Sequence, residues 1–187
     1  MNANSSALNT VSIRPHLIWG PGDPHLLPRV IQAAAEGKLM IVGDGRNMVD
    51  MTYIDNAVEA HIKAAEALHR APEVAGGKTY FVSDGKPVLL WEWIAGLLKK
   101  LAINPPSKSI SYRKAYFIGA CLEVIYGFLP FAAEPPMTRF VAGQFAFSHY
   151  FNISAAERDL GYKPVIDHDE ALKRTIEYLK NLNIKGS

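Results

Sequence analysis

The side chains best suited to chemistry in this sequence are its histidines, and their spacing does not suit a metal. The six are His16, His25, His61, His69, His149 and His168. No two of them are separated by three residues, and none belongs with a pair of cysteines, so the usual spacing of a zinc site is missing. We therefore predict no metal site.

An acidic cluster and a single thiol are the next candidates. The cluster D-H-D-E at 167–170 has enough carboxylates to attract a cation. It also begins a segment with helical apolar spacing, where carboxylates favour the helix dipole and accept hydrogen bonds from free N–H groups, and this role explains it better. Cys121 lies within an apolar run, so we expect a buried and unreactive thiol rather than a nucleophile.

Glycine motifs that bind phosphate or present a nucleophile are missing from these 187 residues. The sequence contains no G-x-x-x-x-G-K, no G-x-G-x-x-G and no G-x-S-x-G. The pairs Gly20/Gly22 and Gly43/Gly45 lack the third glycine and a following helix start, so turns explain them better. Residue chemistry alone yields no catalytic set.

Strands and helices alternate along the chain. Asp55 is expected to cap a helix that runs to about Leu68, and Ser154 to cap another short helix. The apolar face of the first of these is predicted to consist of Val58, Ile62, Ala65 and Leu68. Further strands are predicted at 10–14, 39–42, 49–54, 78–85, 109–112 and 149–154. Further helices are predicted from Leu26 to a cap at Gly37, at 89–101 and at 168–182 with Leu172, Ile176 and Leu179 on one side. This order predicts an α/β protein.

The most apolar run, 115–131, has three interpretations. Its 17 residues are close to the lower limit for crossing a bilayer, but Glu123 and two glycines lie within it and Pro130 ends it. It can be a helix buried in a core, a helix lining an apolar substrate cleft, or an interfacial helix resting on a membrane. The buried helix is the simplest of the three.

Composition sets the broad class. Apolar residues make up 49% and charged residues 20% of the 187 positions, which suits one domain, or a large part of one, with a sizeable core. The formal net charge is +2 and the basic residues are scattered, so nucleic acid is not an expected partner. A single cysteine and no leader-like segment indicate a reducing, cytoplasmic location.

Four segments in order resemble a known family. They are RPHLIWGPGDPHLLPRV, GDGRNMVDMTYIDNAVEAHIKAAEAL, GKTYFVSDG, and the stretch from Glu134 to Leu179. Together they resemble the C-terminal half of the extended short-chain dehydrogenase/reductases, most closely the 3β-hydroxysteroid dehydrogenase family. Within it, the branches acting on 2-alkyl-3-oxoalkanoates and on sterol-4α-carboxylates are the most similar. The resemblance covers residues 8 to 182.

The resemblance implies a fold and a cofactor. It implies that residues 1–187 are the C-terminal part of an NAD(P)-binding Rossmann-type fold, with late sheet strands and the small substrate-binding domain. The N-terminal dinucleotide-binding half is expected to be missing. In such folds ligands meet the carboxyl ends of the strands. Pro15, His16, Leu17 and Ile18 would then line the nicotinamide side of an NADP or NAD site.

The resemblance also marks what this sequence lacks. The family's proton donor is the Tyr of a Y-x-x-x-K motif, whose Lys lowers the tyrosine pKa. None of the eight tyrosines here has a lysine four places on, so we assign no catalytic residue.

Val49 occupies the position where related nucleotide-sugar enzymes carry a phosphate-binding arginine. Together with the apolar run 115–131, this favours an apolar substrate lined by Trp19, Tyr116, Phe117, Phe128 and Phe131, each of which could equally be a core residue.

Two functions remain open at this stage. The chain could be the substrate-domain part of an NAD(P)-dependent 3-hydroxy/3-oxo oxidoreductase for a steroid-like or long-chain 3-oxoacyl substrate, inactive alone. Alternatively, it could be a non-catalytic remnant that binds an apolar ligand or another protein. Expected partners are the apolar substrate and either a separate N-terminal half chain or a second copy. Peripheral contact with a membrane is a further expectation.

Overall fold

The structure is a computed structural model, and it describes residues 8–128 and 135–185. In chain order its elements are β1 (Ser12–Pro15), β2 (Ile18–Trp19), α1 (Leu26–Ala35), β3 (Ile41–Val42), β4 (Met48–Val49), β5 (Thr52–Tyr53), α2 (Ile54–Arg70), α3 (Pro72–Ala75), β6 (Thr79–Val82), β7 (Val88–Leu89), α4 (Leu90–Lys100), β8 (Ser109–Ile110), α5 (Tyr112–Gly127), α6 (Arg139–Ala146), α7 (Ser154–Leu160) and α8 (His168–Lys185). This alternation confirms the predicted α/β class.

The chain forms two compact units, each assembled from separate stretches of sequence. Unit 1 comprises Met1–Leu27, Asp50–Pro87 and Tyr150–Ser187, and unit 2 comprises Pro28–Val49 and Val88–His149. Within each unit, elements from distant parts of the sequence therefore pack together.

Unit 1 is built on two parallel strand pairs. Strand β1 lies parallel to β6, with Ser12 opposite Thr79 and Pro15 opposite Val82. Strand β2 lies parallel to β5. The strand predicted at 10–14 is observed at Ser12–Pro15, so Pro15 is the last strand residue and does not stop the pairing before it. Parallel pairing brings the carboxyl ends of β1 and β6 to the same edge.

Helix α2 buries a face different from the predicted one. Val58 and Ile62 are 51% and 47% exposed, whereas Ala57, Ala60, Ala64 and Ala67 are buried. The alanines allow the helix to approach the strand closely, and larger side chains from other elements fill the core instead. These larger side chains are Tyr80, Val82, Ile153, Leu160 and Tyr162.

Three local predictions around the helix starts have different outcomes. Asp55 lies in the first turn of α2, whose N-cap is Tyr53, so the predicted cap is wrong. Ser154 is the first residue of α7, whose N-cap is Ile153, so this predicted cap is also wrong. Asp167 Oδ1, by contrast, accepts from the N–H groups of Asp169 and Glu170, each at 3.0 Å, which confirms the capping role of the acidic cluster.

The strand predicted at 149–154 does not form. Its first residue, His149, makes an isolated parallel bridge with Val49, and no strand follows. The N–H of Phe151 donates to Asp50 Oδ2 at 2.9 Å. A side-chain oxygen thus accepts a hydrogen bond that strand pairing would otherwise accept from this backbone, and the segment stays irregular.

Unit 2 contains the pairs β3–β8, which is parallel, and β4–β7, which is antiparallel. Helix α4 supplies much of its core, with Trp91, Ile94, Leu97 and Leu98 buried. At the end of α1, Gly37 has φ +66° and its N–H donates to Ala34 O at 2.9 Å. The predicted glycine cap is therefore confirmed.

Helix α5 differs most from expectation. Only Ala115 and Gly119 of this helix are buried, so the interpretation as a buried core helix is wrong. Cys121 is exposed, which also corrects the expectation of a buried thiol. Gly119 is the reason for the close packing of one face, because a Cβ there would come within 2.6 Å of Thr138 C in the segment leading into α6. Among the described helices, none has the length and apolar character needed to cross a membrane.

Candidate functional site

The loop that follows β1 is fixed by hydrogen bonds to two neighbouring strands. The N–H of His16 donates to Val82 O at 3.2 Å, extending the β1–β6 pairing by one residue. The buried Thr52 hydroxyl donates to His16 O at 2.7 Å and also lies 3.2 Å from Val82 O. Thr52 N–H donates to Leu17 O. The path of the chain after Pro15 is thus fixed by Val82 of β6 and by the hydroxyl and N–H groups of Thr52 in β5.

His16 and Asp50 form a close pair at this strand end. His16 Nδ1 lies 2.5 Å from Asp50 Oδ1, and the Asp50 side chain is only 1% exposed. The second carboxylate oxygen accepts from the Phe151 N–H. Burial opposes ionisation of Asp50, but hydrogen bonds from His16, Phe151 N–H and Ser83 outweigh it and hold the pKa of this carboxyl below its ordinary value. An ionised carboxylate only accepts, so Nδ1 is the nitrogen of His16 that donates in this pair.

Aromatic side chains border the pair. The ring of Phe151 stacks on Phe81 with centroids 4.1 Å apart and planes nearly parallel. The same ring meets His16 edge to face at 5.1 Å. This ring contact limits the orientation of the imidazole in addition to its hydrogen bonds. The His16 ring is therefore oriented by both polar and apolar neighbours.

A second, partly buried polar group lies after β6. Asp84 accepts from the Tyr53 N–H at 3.0 Å and from Asn56 Nδ2 at 2.7 Å. Asn56 Oδ1 in turn accepts from the N–H groups of Val165 and Ile166, each at 2.9 Å. Burial raises the pKa of Asp84 despite these donors. The network joins the start of α2 to the segment before α8 and includes Asp84, which follows the end of β6.

The four residues predicted to line a nicotinamide form one continuous segment at the strand end. Pro15 ends β1, His16 and Leu17 are partly buried, and Ile18 is 44% exposed. Leu17 has φ +42°, a left-handed conformation that a non-glycine residue seldom adopts outside a constrained loop. Leu17 and Ile18 offer apolar atoms, and His16 offers a fixed polar ring, which suits one face of a flat carboxamide-bearing ring. For the pyrophosphate of a dinucleotide, the sequence offers no glycine-rich loop.

The residues predicted to line the substrate are found in both units. Trp19 is fully buried in unit 1, where its ring packs against Tyr53 at 5.5 Å and His168 at 5.8 Å. In unit 2, Tyr116, Phe117 and Phe128 are exposed on or just after α5. Phe131 lies outside the described residues. Trp19 thus belongs to a core, and the three aromatic residues of unit 2 lie at a surface.

The buried tyrosines lack the properties of a proton-transfer tyrosine. Burial raises the pKa of Tyr53, Tyr80 and Tyr162 above the ordinary tyrosine value, that of Tyr80 to about 12. A tyrosine that transfers protons near neutral pH needs a lowered pKa. Their hydroxyls have structural roles, since Tyr162 donates to Ser83 O at 3.0 Å and Tyr80 to Asp159 Oδ2 at 3.0 Å. Across the residues that the structure describes, no group of three or more His, Cys, Asp or Glu side chains could hold a metal.

Sequence reasoning missed the polar residues that hold the strand ends. No role was predicted for Asp50, Thr52 or Asn56, yet each is at most 1% exposed in the structure. The available signal was a series of polar residues within the apolar segment M-V-D-M-T-Y-I-D-N, where a polar side chain needs a buried partner. Their partners lie 28 or more residues away in sequence, so only the fold identifies them.

Comparison with known proteins defines the class. Residues 1–112 match the 3-beta hydroxysteroid dehydrogenase/isomerase family. The solved structures with similar folds include UDP-glucuronic acid 4-epimerase from Bacillus cereus in complex with NAD, with a TM-score of 0.59 and 21% identity, covering 92% of this chain and 45% of that chain. MoeE5 in complex with UDP-glucose and NAD has a TM-score of 0.61 and 19% identity, covering 97% and 51%. The chain thus has the fold of about half of a Rossmann-type NAD-binding protein of the short-chain dehydrogenase/reductase kind.

The chain belongs to the 3-beta hydroxysteroid dehydrogenase/isomerase family. It is 46% identical to 2-alkyl-3-oxoalkanoate reductase of Stenotrophomonas maltophilia over 92% of this chain and 52% of that protein. It is 33% identical to the decarboxylating sterol-4-alpha-carboxylate 3-dehydrogenase of Mus musculus over 97% of this chain and 51% of that protein. The chain spans about half the length of the curated relatives it matches.

Proposed function

We propose that this chain supplies the nicotinamide-facing strand end and the substrate domain of an NAD(P)-dependent 3-hydroxy/3-oxo oxidoreductase. The proposal is supported above all by the segment Pro15–Ile18 of a chain that belongs to this family. The segment has a fixed His16 ring and an exposed Ile18 at the carboxyl end of a parallel strand. Ligands of doubly wound folds meet the protein at such strand ends.

Within this assignment, each residue has a definite task. A bound NAD(P)H supplies the hydride for the substrate carbonyl carbon. Asp50 holds the Nδ1 proton of His16, so the imidazole ring keeps one tautomer and one orientation. Thr52 fixes the backbone of His16 and Leu17, and the side chains of Leu17 and Ile18 exclude water from one face of the ring site. These residues bind and orient, and none of them transfers a proton.

We further propose an apolar 3-oxoacyl or steroid-like substrate. Val49 is uncharged and fully buried, so a substrate phosphate would find no cation at the position that carries a phosphate-binding arginine in nucleotide-sugar enzymes. The names of the most similar relatives, an oxoalkanoate reductase and a sterol dehydrogenase, are in keeping with this class.

We also propose that the proton donor of the reaction is not among these 187 residues. No tyrosine has a lysine four places on, and the buried tyrosines have raised pKa values. A protein made of residues 1–187 alone is therefore expected to bind NAD(P)H weakly and to show no turnover.

The test is a chimera in which this chain replaces the matching half of the Stenotrophomonas maltophilia reductase. We expect the chimera to oxidise NADPH or NADH in the presence of a 2-alkyl-3-oxoalkanoate and the isolated chain to be inactive under the same conditions, with the parent reductase as reference. A folded chimera without turnover, or turnover by the isolated chain, would contradict the proposal. Faster turnover of a nucleotide sugar than of the oxoalkanoate would contradict the substrate class.

A further inference from the structure

Leu17 is the residue at which the chain changes its pairing partner. Up to Pro15 the chain pairs with β6, and the His16 N–H still donates to Val82 O of β6 at 3.2 Å. From Ile18 onwards, as strand β2, it pairs with β5. Leu17 lies between the two pairings and has φ +42°. The chain therefore passes from one neighbouring strand to the other at a left-handed residue.

A left-handed backbone at a leucine needs a cause in its surroundings. For a residue with a Cβ this conformation costs free energy, and it persists only where neighbouring groups hold it. Glycine and asparagine adopt it more readily than leucine. The preference of the residue at position 17 therefore opposes the observed turn, and other contacts must keep it.

Thr52 of β5 supplies these contacts. Its hydroxyl donates to His16 O at 2.7 Å and accepts from the His16 N–H at 3.2 Å. Its own N–H donates to Leu17 O at 3.2 Å. The carbonyl groups of both peptide units that flank the Leu17 Cα are thus bound by one residue, which fixes φ and ψ between them. Thr52 is fully buried, so water does not compete for these hydrogen bonds.

We propose that Thr52 is a cofactor-positioning residue that acts by holding Leu17 in its left-handed conformation. This inference rests on the proposed function, in which the segment Pro15–Ile18 faces the nicotinamide. A relaxed Leu17 would change the direction of the chain between β1 and β2, and with it the surface that meets the ring. Thr52 touches neither cofactor nor substrate, so its contribution belongs to cofactor affinity and not to the chemical step.

The experiment measures binding of NADH to the chimera with the Stenotrophomonas maltophilia reductase, by the fluorescence of the bound nicotinamide. Thr52→Val fills the same space without the hydroxyl. It should raise the Kd for NADH by about tenfold or more, because the left-handed turn then lacks its support. With NADH at saturation, kcat should stay within about twofold of the parent chimera. Thr52→Ser keeps the hydroxyl and should keep the Kd within about threefold.

Thr175→Val is the matched control. Thr175 is also fully buried in unit 1, and its hydroxyl donates to Ala171 O at 2.8 Å within α8. The variant loses a buried threonine hydroxyl of the same kind at a place that has no contact with Leu17. It should therefore leave the Kd for NADH unchanged, whatever its effect on the free energy of unfolding.

Two substitutions at position 17 test whether Thr52 acts through Leu17. Asparagine tolerates the left-handed region, so in a Leu17→Asn background the further change Thr52→Val should raise the Kd by only about threefold or less. Leu17→Val leaves Thr52 in place and adds a β-branched side chain, which tolerates this region worst. It should raise the Kd by about fivefold or more, and it tests the proposal even if Thr52→Val does not fold.

The contrary results are distinct. The proposal fails if Thr52→Val or Leu17→Val binds NADH as tightly as the parent chimera, or if Thr175→Val loses the same affinity. It also fails if Thr52→Ser loses as much as Thr52→Val, or if Thr52→Val has the same effect with Leu or Asn at position 17. A folded chimera that does not bind NADH would contradict both this inference and the proposed function. A chimera that binds NADH with the expected pattern but shows no turnover would contradict only the proposed reaction.

Discussion

Buried polar side chains set the geometry at the carboxyl end of β1. Asp50, Thr52 and Asn56 are almost fully buried, and each has hydrogen-bond partners that occupy its polar atoms. A buried polar group without a partner costs free energy, so such residues specify one arrangement of the strands around them. The sequence shows which residues are polar, but only the fold shows that His16 is the partner of Asp50.

Replacing Asp50 tests this role. Asp50→Asn keeps the size but replaces one accepting oxygen by an NH2 group that only donates, so the contact with either His16 Nδ1 or the Phe151 N–H is lost. We expect the free energy of unfolding to fall by about 1–3 kcal/mol, as measured by urea denaturation. Glu177→Gln, an exposed charge removal in α8, should change it by less than about 0.5 kcal/mol. Equal effects of the two variants would show that Asp50 has no special structural role.

A second residue-scale prediction concerns acid. Hydrogen bonds from Arg158 and Lys78 lower the pKa of Asp159 from 3.8 to about 2. Because the folded-state pKa is lower than the unfolded one, the carboxylate stabilises the fold above pH 4, and this contribution is lost as the pH falls towards 2. Asp159→Asn should flatten that part of the stability profile, measured by urea denaturation at several pH values, and Asp44→Asn, in an exposed turn, should not. An unchanged profile in the Asp159 variant would contradict the pairing.

At the scale of elements, apolar spacing predicted the position of helices better than their buried face. The helix at 54–70 is present, but its buried side consists of small residues, because the neighbouring strand and α7 contribute the large ones. Ranking residues by hydrophobicity favoured Val58 and Ile62 over Ala60 and Ala64, and the packing favours the alanines. Whether a helix or its neighbour contributes the large side chains to an interface depends on both elements, so the sequence of one segment does not determine it.

The same limit applies to α5 and to the segment 149–154. The apolar character of α5 indicated burial, yet its large residues point outwards and its small residues pack inwards. The segment at 149–154 has strand-like residues, but Asp50 and Asn152 satisfy some of its N–H groups. Local pattern was sufficient for β1, for the glycine cap of α1 and for the acidic start of α8, where the determining chemistry is also local.

The crossing of α5 with the start of α6 gives an element-scale prediction. A Cβ at Gly119 would lie 2.6 Å from Thr138 C and 2.7 Å from Arg139 N, both backbone atoms that cannot rotate away. Gly119→Ala should therefore lower the free energy of unfolding by about 1–3 kcal/mol despite the better helix propensity of alanine. Gly127→Ala, where nothing lies within 4 Å, should leave it unchanged or raise it by up to about 1 kcal/mol. Similar effects of the two variants would contradict the close crossing.

At the scale of the whole molecule, ordered motifs carried more information than any single residue. The family resemblance predicted the fold class and the position of the strand end, and the family match and the similar folds confirm the class. Residue chemistry alone predicted no site, because the segment Pro15–Ile18 contains no catalytic motif. The division into two units was not visible in composition, since both units are assembled from separated stretches.

The most direct test of the central claim is Ile18→Trp in the chimera with the Stenotrophomonas maltophilia reductase. Ile18 is 44% exposed, so the larger ring should leave the fold intact but intrude on the nicotinamide side. We predict a loss of about tenfold or more in kcat/KM for NADPH and NADH, equivalent to about 1.4 kcal/mol. Val165→Trp, at an exposed position elsewhere in unit 1, should leave kcat/KM unchanged. A chimera whose kcat/KM is the same with Ile or Trp at position 18 would contradict the assignment of this strand end to the cofactor.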